Sequence, residues 1–277
     1  MDLDAYLRRI GYEGPREPTR ETLLAIHALH PQAIPFENLD PFAGETPSLR
    51  PDAVEAKLVH GGRGGWCFEQ NLLFSQVLAA LGFSFRRLAA RVRWNVAPGT
   101  VTPRSHCLLL VEIEGKRWIA DVGFGGLVLT APLLLDETDV IQETWHEAHR
   151  LRETGEGFRL EALVAGDWKA LYDFDLGEAQ LADYEVSNWY LANNPQSHFV
   201  TGIVAARAEP GRRHALRGTR YSIHETRGKT EHRFASSAQE LIEWLEGPFG
   251  IRVPRSPRLE AKLGKMIEVE RTRPPIS

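Results

Sequence analysis

The sequence contains little cysteine, with only Cys67 and Cys107 among its 277 residues. A disulfide-stabilised scaffold is excluded at this count and size, and a cytosolic thiol is more often catalytic or metal-binding than cross-linked. The CxxC and HExxH spacings of common metal sites are also missing, although the chain has ten histidines. We therefore expect no structural metal site.

An excess of basic charge and a long apolar run are missing as well. The 33 lysines and arginines are outnumbered by 37 aspartates and glutamates, and a nucleic-acid-binding protein would show a basic excess or a basic patch. No apolar run approaches the ~18 residues needed to cross a bilayer, and the acidic N-terminus lacks the apolar core of a secretory signal. The remaining composition, 43% hydrophobic and 25% charged, is typical of a globular protein. We expect a cytoplasmic protein that binds neither nucleic acid nor membrane.

The sequence pattern of the first eighty residues predicts helices. Thr19 is suited to cap one helix, and Pro51 is suited to begin a second that ends at the glycine pair 61–62. A third helix is predicted over Cys67–Leu81, where apolar residues share one broad face before Gly82. The N-terminal part of the chain is therefore helical.

From about Ser84 the pattern changes to short segments rich in β-branched and aromatic residues. They predict antiparallel strands, and their sequences are FSFRRLAARVRW, SHCLLLVEI, KRWIADVGF, FRLEALV and WKALYDF. The segment LADYEVSNWYLANN then predicts a helix that ends at Pro195, and SHFVTGIVAAR and TRYSIHET predict further strands. A capping box from Ser237 to Glu240 opens another helix that ends at Gly247. The pattern indicates an α+β protein with a helical N-terminal part, a central β part and a mixed C-terminal part.

The segment GGRGGWCFEQN places Cys67 at the start of a helix, after a loop with four glycines. The positive end of the helix dipole and the free N–H groups there lower a thiol pKa from about 8.5. The same N–H groups can hold an oxyanion on a carbonyl that the sulfur attacks. The alternative is a buried cysteine that acts as a small apolar residue.

A thiolate nucleophile needs a histidine, and the histidine needs an orienting acid. His106 and Asp121 lie on the two predicted strands flanking Glu114-Gly115. A two-residue hairpin loop there would make His106 and Asp121 diagonal neighbours on one sheet face, whereas a three-residue loop would put Asp121 on the opposite face. Taken alone, His106 is better explained as a structural core histidine than as a catalytic one. Cys107 points to the other face of the strand, where we expect it to pack.

Glu37, in IPFENLD, and Arg63, between glycine pairs, form another candidate unit. They are either solvated surface residues or an ion pair that holds the loop before Cys67.

Taken together, IPFENLD, RGGWCFEQN, the SH of SHCLLLVEI, and DVGFGG resemble the signature segments of the arylamine N-acetyltransferase family, in that family's order and spacing. The opening YLRRIGYEGPREPTRETLLAIHALH and the later NWYLANNPQSHF are similar to the family too. The likeness is good over about the first 200 residues and looser over the last 75.

The resemblance implies an α+β fold with an N-terminal helical bundle, a central antiparallel β-barrel and a C-terminal α/β lid around a papain- or transglutaminase-like Cys-His-Asp core. We place the bundle at 1–83, the barrel at 84–188 and the lid at 189–277. The implied activity is ping-pong transfer of an acetyl group from acetyl-CoA, a co-substrate, to arylamines, arylhydrazines and N-hydroxyarylamines, with no permanently bound cofactor. The implied catalytic residues are Cys67, His106 and Asp121, and the implied supporting pair is Glu37 and Arg63. The implied acceptor and CoA contacts are Phe36, Phe124, Gly125, Gly126 and Phe199.

Two departures from the family pattern bear on pocket shape. Trp66 stands where a tyrosine is usual, and Asn193-Asn194-Pro195 differs slightly from the usual segment.

Two other functions stay open from the triad alone. A papain- or transglutaminase-like cysteine amidase uses the same three residue types, and a small-molecule binding module would keep the site without using it.

Overall fold

The computed structural model describes residues 1–226 and 228–272. Helices dominate its N-terminal part, as the sequence predicts. Thr19 caps the second helix by accepting a hydrogen bond from the Thr22 amide, and Pro51 occupies the first turn of the fourth. A π-helical segment, Ala56–His60, extends that fourth helix. The N-terminal elements are α1 (Leu3–Ile10), α2 (Arg20–Ala33), β1 (Phe36–Glu37), α3 (Leu39–Ala43), α4 (Pro51–Glu55) and α5 (Cys67–Ala80).

The central part is one antiparallel sheet that curls into a nearly closed barrel. Its strands are β2 (Ser84–Val92), β3 (Arg104–Ile113), β4 (Lys116–Ala120), β5 (Leu133–Leu134), β6 (Gln142–Glu143), β7 (Ala148–Thr154), β8 (Gly157–Val164) and β9 (Asp167–Glu178). Within the described residues the strand order is β5-β4-β3-β2-β9-β8-β7-β6. The Gln142 side chain bridges the two edge strands, since it accepts from the Leu134 amide at 2.7 Å and donates to the Leu134 carbonyl at 2.9 Å.

The hairpin between β3 and β4 has the two-residue loop that the sequence favours. Glu114 and Gly115 both have positive φ, at 50° and 74°, which is the conformation of a type I′ turn. Ile113 consequently pairs with Lys116, and the same register continues to Leu109 and Ala120. The three-residue alternative is therefore wrong.

A second sheet lies in the C-terminal part. Its strands are β10 (Val204–Glu209), β11 (Arg212–Arg217), β12 (Arg220–Glu225) and β13 (Thr230–Phe234), and the helices around it are α6 (Leu181–Asn193), α7 (His198–Thr201), α8 (Ala238–Glu246) and α9 (Pro257–Thr272). The short strand β1 completes this sheet, because Phe36 and Glu37 pair with β10 in antiparallel register. A strand from the N-terminal part is thereby built into the C-terminal sheet.

The prediction of a strand over SHFVTGIVAAR is wrong in its first half. His198–Thr201 forms a single helical turn, which Ser197 caps by accepting from the Phe199 amide. The Asn38 amide group donates to the carbonyls of Phe199 and Gly202, both at 2.8 Å. These contacts span 161 and 164 positions, so the local strand pattern is overridden by tertiary structure.

The helix α6 connects the barrel to the C-terminal part and packs against the barrel and the N-terminal part. The Tyr184 hydroxyl donates to the Leu88 carbonyl of β2 at 2.9 Å, and the Asn188 amide donates to the Pro47 carbonyl at 2.9 Å. The predicted α+β fold, with N-terminal helices, an antiparallel barrel and a C-terminal α/β part, is confirmed. None of the helices in residues 1–226 and 228–272 combines the length and apolar character that a membrane span needs.

Candidate active site

Cys67 is the first residue of α5. Trp66, in extended conformation, is the N-cap, so the Cys67 amide belongs to the N–H groups that an α-helix leaves without an intrahelical partner. Gly123 packs against the start of the helix, where a Cβ atom would lie 2.8 Å from the Cα of Cys67. Only glycine permits this approach, which brings the chain segment after Asp121 directly against the cysteine.

His106 and Asp121 meet beside Cys67. The Nε2 atom of His106 lies 2.7 Å from Oδ2 of Asp121, and the two side chains are 3% and 0% exposed. The two-residue hairpin places both residues on one face, as the register argument requires. The other ring nitrogen, Nδ1, is then the one available to the Cys67 thiol, which is hydrogen-bonded to His106.

The charges at this site favour a thiolate and an imidazolium. Burial raises the pKa of Cys67, but hydrogen bonds from Cys107 and His106, and the histidine's charge, lower it to about 6. Burial lowers the pKa of His106, but the charge and hydrogen bond of Asp121 raise it to about 10. Between pH 6 and 10 the sulfur is therefore deprotonated while the imidazole is protonated.

Asp121 is held by contacts that the sequence did not single out. The Asn71 amide donates to Oδ1 of Asp121 at 2.9 Å and to the Cys107 carbonyl at 2.8 Å. The Gly123 amide donates to the same Oδ1 at 2.9 Å. His27 accepts from the Asp121 amide at 3.1 Å, and burial lowers the pKa of this histidine to about 3, which leaves it neutral.

Asn71 lies four residues after Cys67, one helical turn along α5, and this spacing was the available sequence signal. A residue at that position shares the face that presents the cysteine. Its partner on β3 lies 36 positions away, so the hydrogen bond itself is not visible in the local pattern.

Cys107 is buried against the first turn of α5 rather than on the side of His106. Its thiol donates to the Cys67 carbonyl at 3.2 Å, and burial raises its own pKa well above the ordinary value. The Cys107 thiol therefore stays protonated at neutral pH and contacts Cys67 as a hydrogen-bond donor.

Glu37 and Arg63 form an ion pair beneath the glycine-rich loop. The Arg63 Nε and Nη2 atoms lie 2.8 Å and 2.7 Å from Oε1 of Glu37, whose side chain is 0% exposed. Arg63 also reaches Oδ1 of Asp40 at 2.7 Å, and Glu37 accepts from the Leu39 amide at 2.7 Å. The guanidinium thus joins the loop to β1 and α3.

Aromatic side chains lie on two sides of the cluster formed by Cys67, His106 and Asp121. The Phe199 ring lies 5.5 Å from the Trp66 ring and 6.2 Å from the Phe36 ring, measured between centroids. On the other side, the His106 ring contacts Phe124 at 5.1 Å and Tyr172 at 5.0 Å. Trp66 and Tyr172 are buried, whereas Phe124 and Phe199 are partly exposed and can offer apolar faces to a ligand.

The two glycines after Phe124 occupy different environments. Gly125 is buried with φ at 75°, and a Cβ atom there would contact the Phe36 ring at 3.5 Å. Gly126 is exposed, with no atom within 4 Å of such a Cβ. The structure therefore brings Gly125 to the aromatic cluster and leaves Gly126 at the surface.

Across residues 1–226 and 228–272, no group of three or more His, Cys, Asp or Glu side chains is arranged to hold a metal ion.

Comparison of the sequence with known proteins gives matches that agree with one another. A family profile described as N-acetyltransferase matches residues 19–258. The arylamine N-acetyltransferase of Mycolicibacterium smegmatis is 42% identical over 255 residues, which cover 91% of this chain and 92% of that protein. The arylamine N-acetyltransferase/N-hydroxyarylamine O-acetyltransferase of Salmonella typhimurium is 38% identical over 252 residues, covering 91% and 89%.

Solved structures give the same result for the fold. The arylamine N-acetyltransferase of Mycobacterium marinum superposes with a TM-score of 0.92 at 41% identity, over 96% of this chain and 100% of that one. Its structure in complex with CoA superposes with a TM-score of 0.91 at 40% identity, over 96% and 99%.

Proposed function

The chain belongs to the arylamine N-acetyltransferase family, and we propose that it moves the acetyl group of acetyl-CoA to an aromatic amine or hydrazine through a thioester on Cys67. The observation that carries the proposal is the contact of the Cys67 thiol, at the N-terminus of α5, with His106, which lies 2.7 Å from the Asp121 carboxylate.

The first half-reaction begins with the Cys67 proton on His106. The thiolate attacks the acetyl carbonyl carbon of acetyl-CoA, and the free amides in the first turn of α5 are placed to stabilise the oxyanion. As the carbonyl re-forms, the bond to the CoA sulfur breaks, and His106 supplies the proton that this leaving group takes up. Asp121 keeps the imidazole oriented and stabilises its cation.

In the second half-reaction the amine nitrogen attacks the acetyl-Cys67 carbonyl. His106, now neutral, accepts the amine proton, the amide forms, and the Cys67 thiolate is released. Cys67 is only 6% exposed, and the rings of Trp66 and Phe124 lie beside the triad. This shielding disfavours attack by water on the thioester, which is the difference between a transferase and a hydrolase.

We propose Glu37 and Arg63 as supports of the nucleophile loop, because their ion pair is buried beneath it. We propose Phe36, Phe124 and Phe199 as the aromatic lining of the acceptor and acyl site, with Gly125 providing close approach beside Phe36. Gly126 is proposed as a contact to acetyl-CoA from its exposed position. N-hydroxyarylamines are included as acceptors because the Salmonella typhimurium relative is named as an O-acetyltransferase of that class.

A competition assay tests the function. The protein is mixed with acetyl-CoA and an arylhydrazine, an aniline, spermidine or a lysine peptide, and release of CoA is followed. We expect turnover with the two aromatic compounds, because they are mainly unprotonated at neutral pH, whereas a lysine ammonium must first lose a proton. The Cys67→Ala variant is the negative control for CoA release that does not depend on the thiol. Preference for spermidine or the peptide, or cleavage of peptide amides without acyl-CoA, contradicts the proposal.

A further inference from the structure

The ion pair of Glu37 and Arg63 is one end of a longer chain of charges that runs to the helix of the nucleophile. Arg63 contacts Asp40, whose other carboxylate oxygen accepts from Lys57 Nζ at 2.6 Å. Lys57 also donates to Oε1 of Glu69 at 2.7 Å. The side chains are 0% to 18% exposed, so the five charges form one shielded row.

Glu69 ends this row on the backbone that precedes Cys67. Its second carboxylate oxygen, Oε2, accepts from the Trp66 amide at 3.2 Å. A Cβ atom on Gly65 would lie 2.8 Å from the same oxygen, so the carboxylate rests directly against the loop. Because Glu69 is the third residue of α5, it ties the last loop residues to the first helical turn.

Lys57 keeps the Glu69 carboxylate in that place. It comes from the π-helical segment Ala56–His60, and its ammonium lies between Asp40 and Glu69 with 16% of the side chain exposed. Burial raises the pKa of Glu69 to about 7 against the opposing effect of the Lys57 charge. Without the lysine, a buried carboxylate would be left with no cation beside it.

We propose that Glu69 and Lys57 are positioning residues for the acetyl transfer, with Glu69 fixing the backbone of Gly65 and Trp66 so that the Cys67 sulfur stays in contact with His106. The claim that this positioning serves acetyl transfer rests on the proposed function. The predicted effect of Glu69 on the geometry and titration of the Cys67 thiol does not depend on that function.

If Glu69 positions the loop, its removal should raise the pKa of Cys67. If Glu69 acts only through its charge, its removal should lower that pKa. A negative charge close to a thiol raises its pKa, so removal of the Glu69 charge alone would lower the pKa of Cys67. Loss of the Trp66 hydrogen bond instead loosens the first turn, weakens the contact with His106 and returns the pKa of Cys67 towards about 8.5. Glutamine keeps an oxygen that can accept from the Trp66 amide, whereas alanine keeps none.

The test is the pH dependence of iodoacetamide alkylation of Cys67 without acetyl-CoA. We expect Glu69→Ala to slow alkylation at pH 7 about 10-fold and to shift the inflection of the rate-against-pH curve to higher pH. We expect Glu69→Gln to keep the wild-type inflection or to lower it. Asp52→Asn is the matched control, because Asp52 forms an exposed ion pair with Arg50 elsewhere on the surface. An unchanged or lowered inflection in Glu69→Ala, or equal increases in both Glu69 variants, overturns the inference.

A second variant separates positioning from folding. Lys57→Met/Glu69→Leu removes the buried charge pair at similar volume and leaves Asp40 paired with Arg63, so the melting temperature should stay near that of the wild type. The Trp66 amide nevertheless loses its acceptor, and we expect the raised inflection to persist. A wild-type inflection in this variant also overturns the inference.

Turnover with acetyl-CoA and an arylhydrazine, measured in parallel, should show a loss of kcat rather than a rise in KM for Glu69→Ala. A wild-type protein that forms no acetyl-enzyme contradicts the proposed function, while the alkylation profiles still decide the positioning question.

Discussion

Replacing Asp121 with asparagine isolates the contribution of its charge to the thiolate. Asparagine has the same shape, and its carbonyl oxygen can still accept from the Asn71 and Gly123 amides that now bind Oδ1. Its amide nitrogen would face Nε2 of His106, the atom that now lies 2.7 Å from the carboxylate. Because that nitrogen can only donate, Nε2 becomes an acceptor and the imidazole proton moves to Nδ1, facing the sulfur.

The size of the effect follows from the titration of Cys67. With its pKa lowered to about 6, about nine-tenths of the thiol is ionised at pH 7. In Asp121→Asn, the imidazole can neither hold a positive charge readily nor accept the thiol proton through Nδ1. The pKa of the thiol then returns to about 8.5, which leaves about 3% thiolate at pH 7 and predicts a fall of roughly 30-fold in alkylation rate. Acetyl transfer should fall further, because general-base catalysis is also lost.

The assay is alkylation by iodoacetamide across a pH series, with Asp52→Asn as the control for loss of an exposed carboxylate. A thermal melt confirms that both variants are folded. If Cys67 in Asp121→Asn still titrates at about 6, the charge of Asp121 is not what maintains the ion pair, and the reasoning is refuted.

The other assignments can be tested by single variants and by pH. Cys67→Ala should abolish acetyl transfer, whereas Cys107→Ala should keep most of it and only raise the thiol pKa, because Cys107 donates a hydrogen bond to Cys67; turnover assays that show equal losses would contradict this. Arg63→Lys should lower melting temperature and activity together, since lysine cannot span Glu37 and Asp40 as the guanidinium does; full stability without activity would indicate a substrate contact instead. Asn71→Ala should cost about 1–3 kcal/mol in urea unfolding, because it leaves the Asp121 carboxylate short of a donor, and an unchanged midpoint would argue against that role. In the wild type, alkylation should rise as pH increases through about 6 and then level off, and an inflection near 8.5 would rule out the ion pair.

Much of the site was predictable because its elements are local. The hairpin between His106 and Asp121 depends only on the Glu114-Gly115 turn and on strand alternation, and both are visible in the sequence. The position of Cys67 at a helix start is signalled by the glycines before it and the apolar periodicity after it. Short-range rules were sufficient for these features.

Asn71 and Lys57, two other supports of the site, were not predictable in the same way. Asn71 meets Asp121 across 50 positions, and Lys57 reaches Asp40 across 17, so no local pattern records either contact. The helical turn at His198–Thr201 depends on Asn38, far away in the chain. Such contacts exist only after the helices, barrel and C-terminal sheet have packed together.

The most direct test of the account is the mass of the intact protein after mixing with acetyl-CoA in the absence of an amine. We predict an increase of about 42 Da, which maps to Cys67 and disappears when an arylhydrazine is added. An unmodified protein that still acetylates the hydrazine, or an acetyl group located on Cys107 or any other residue, would contradict the thioester mechanism.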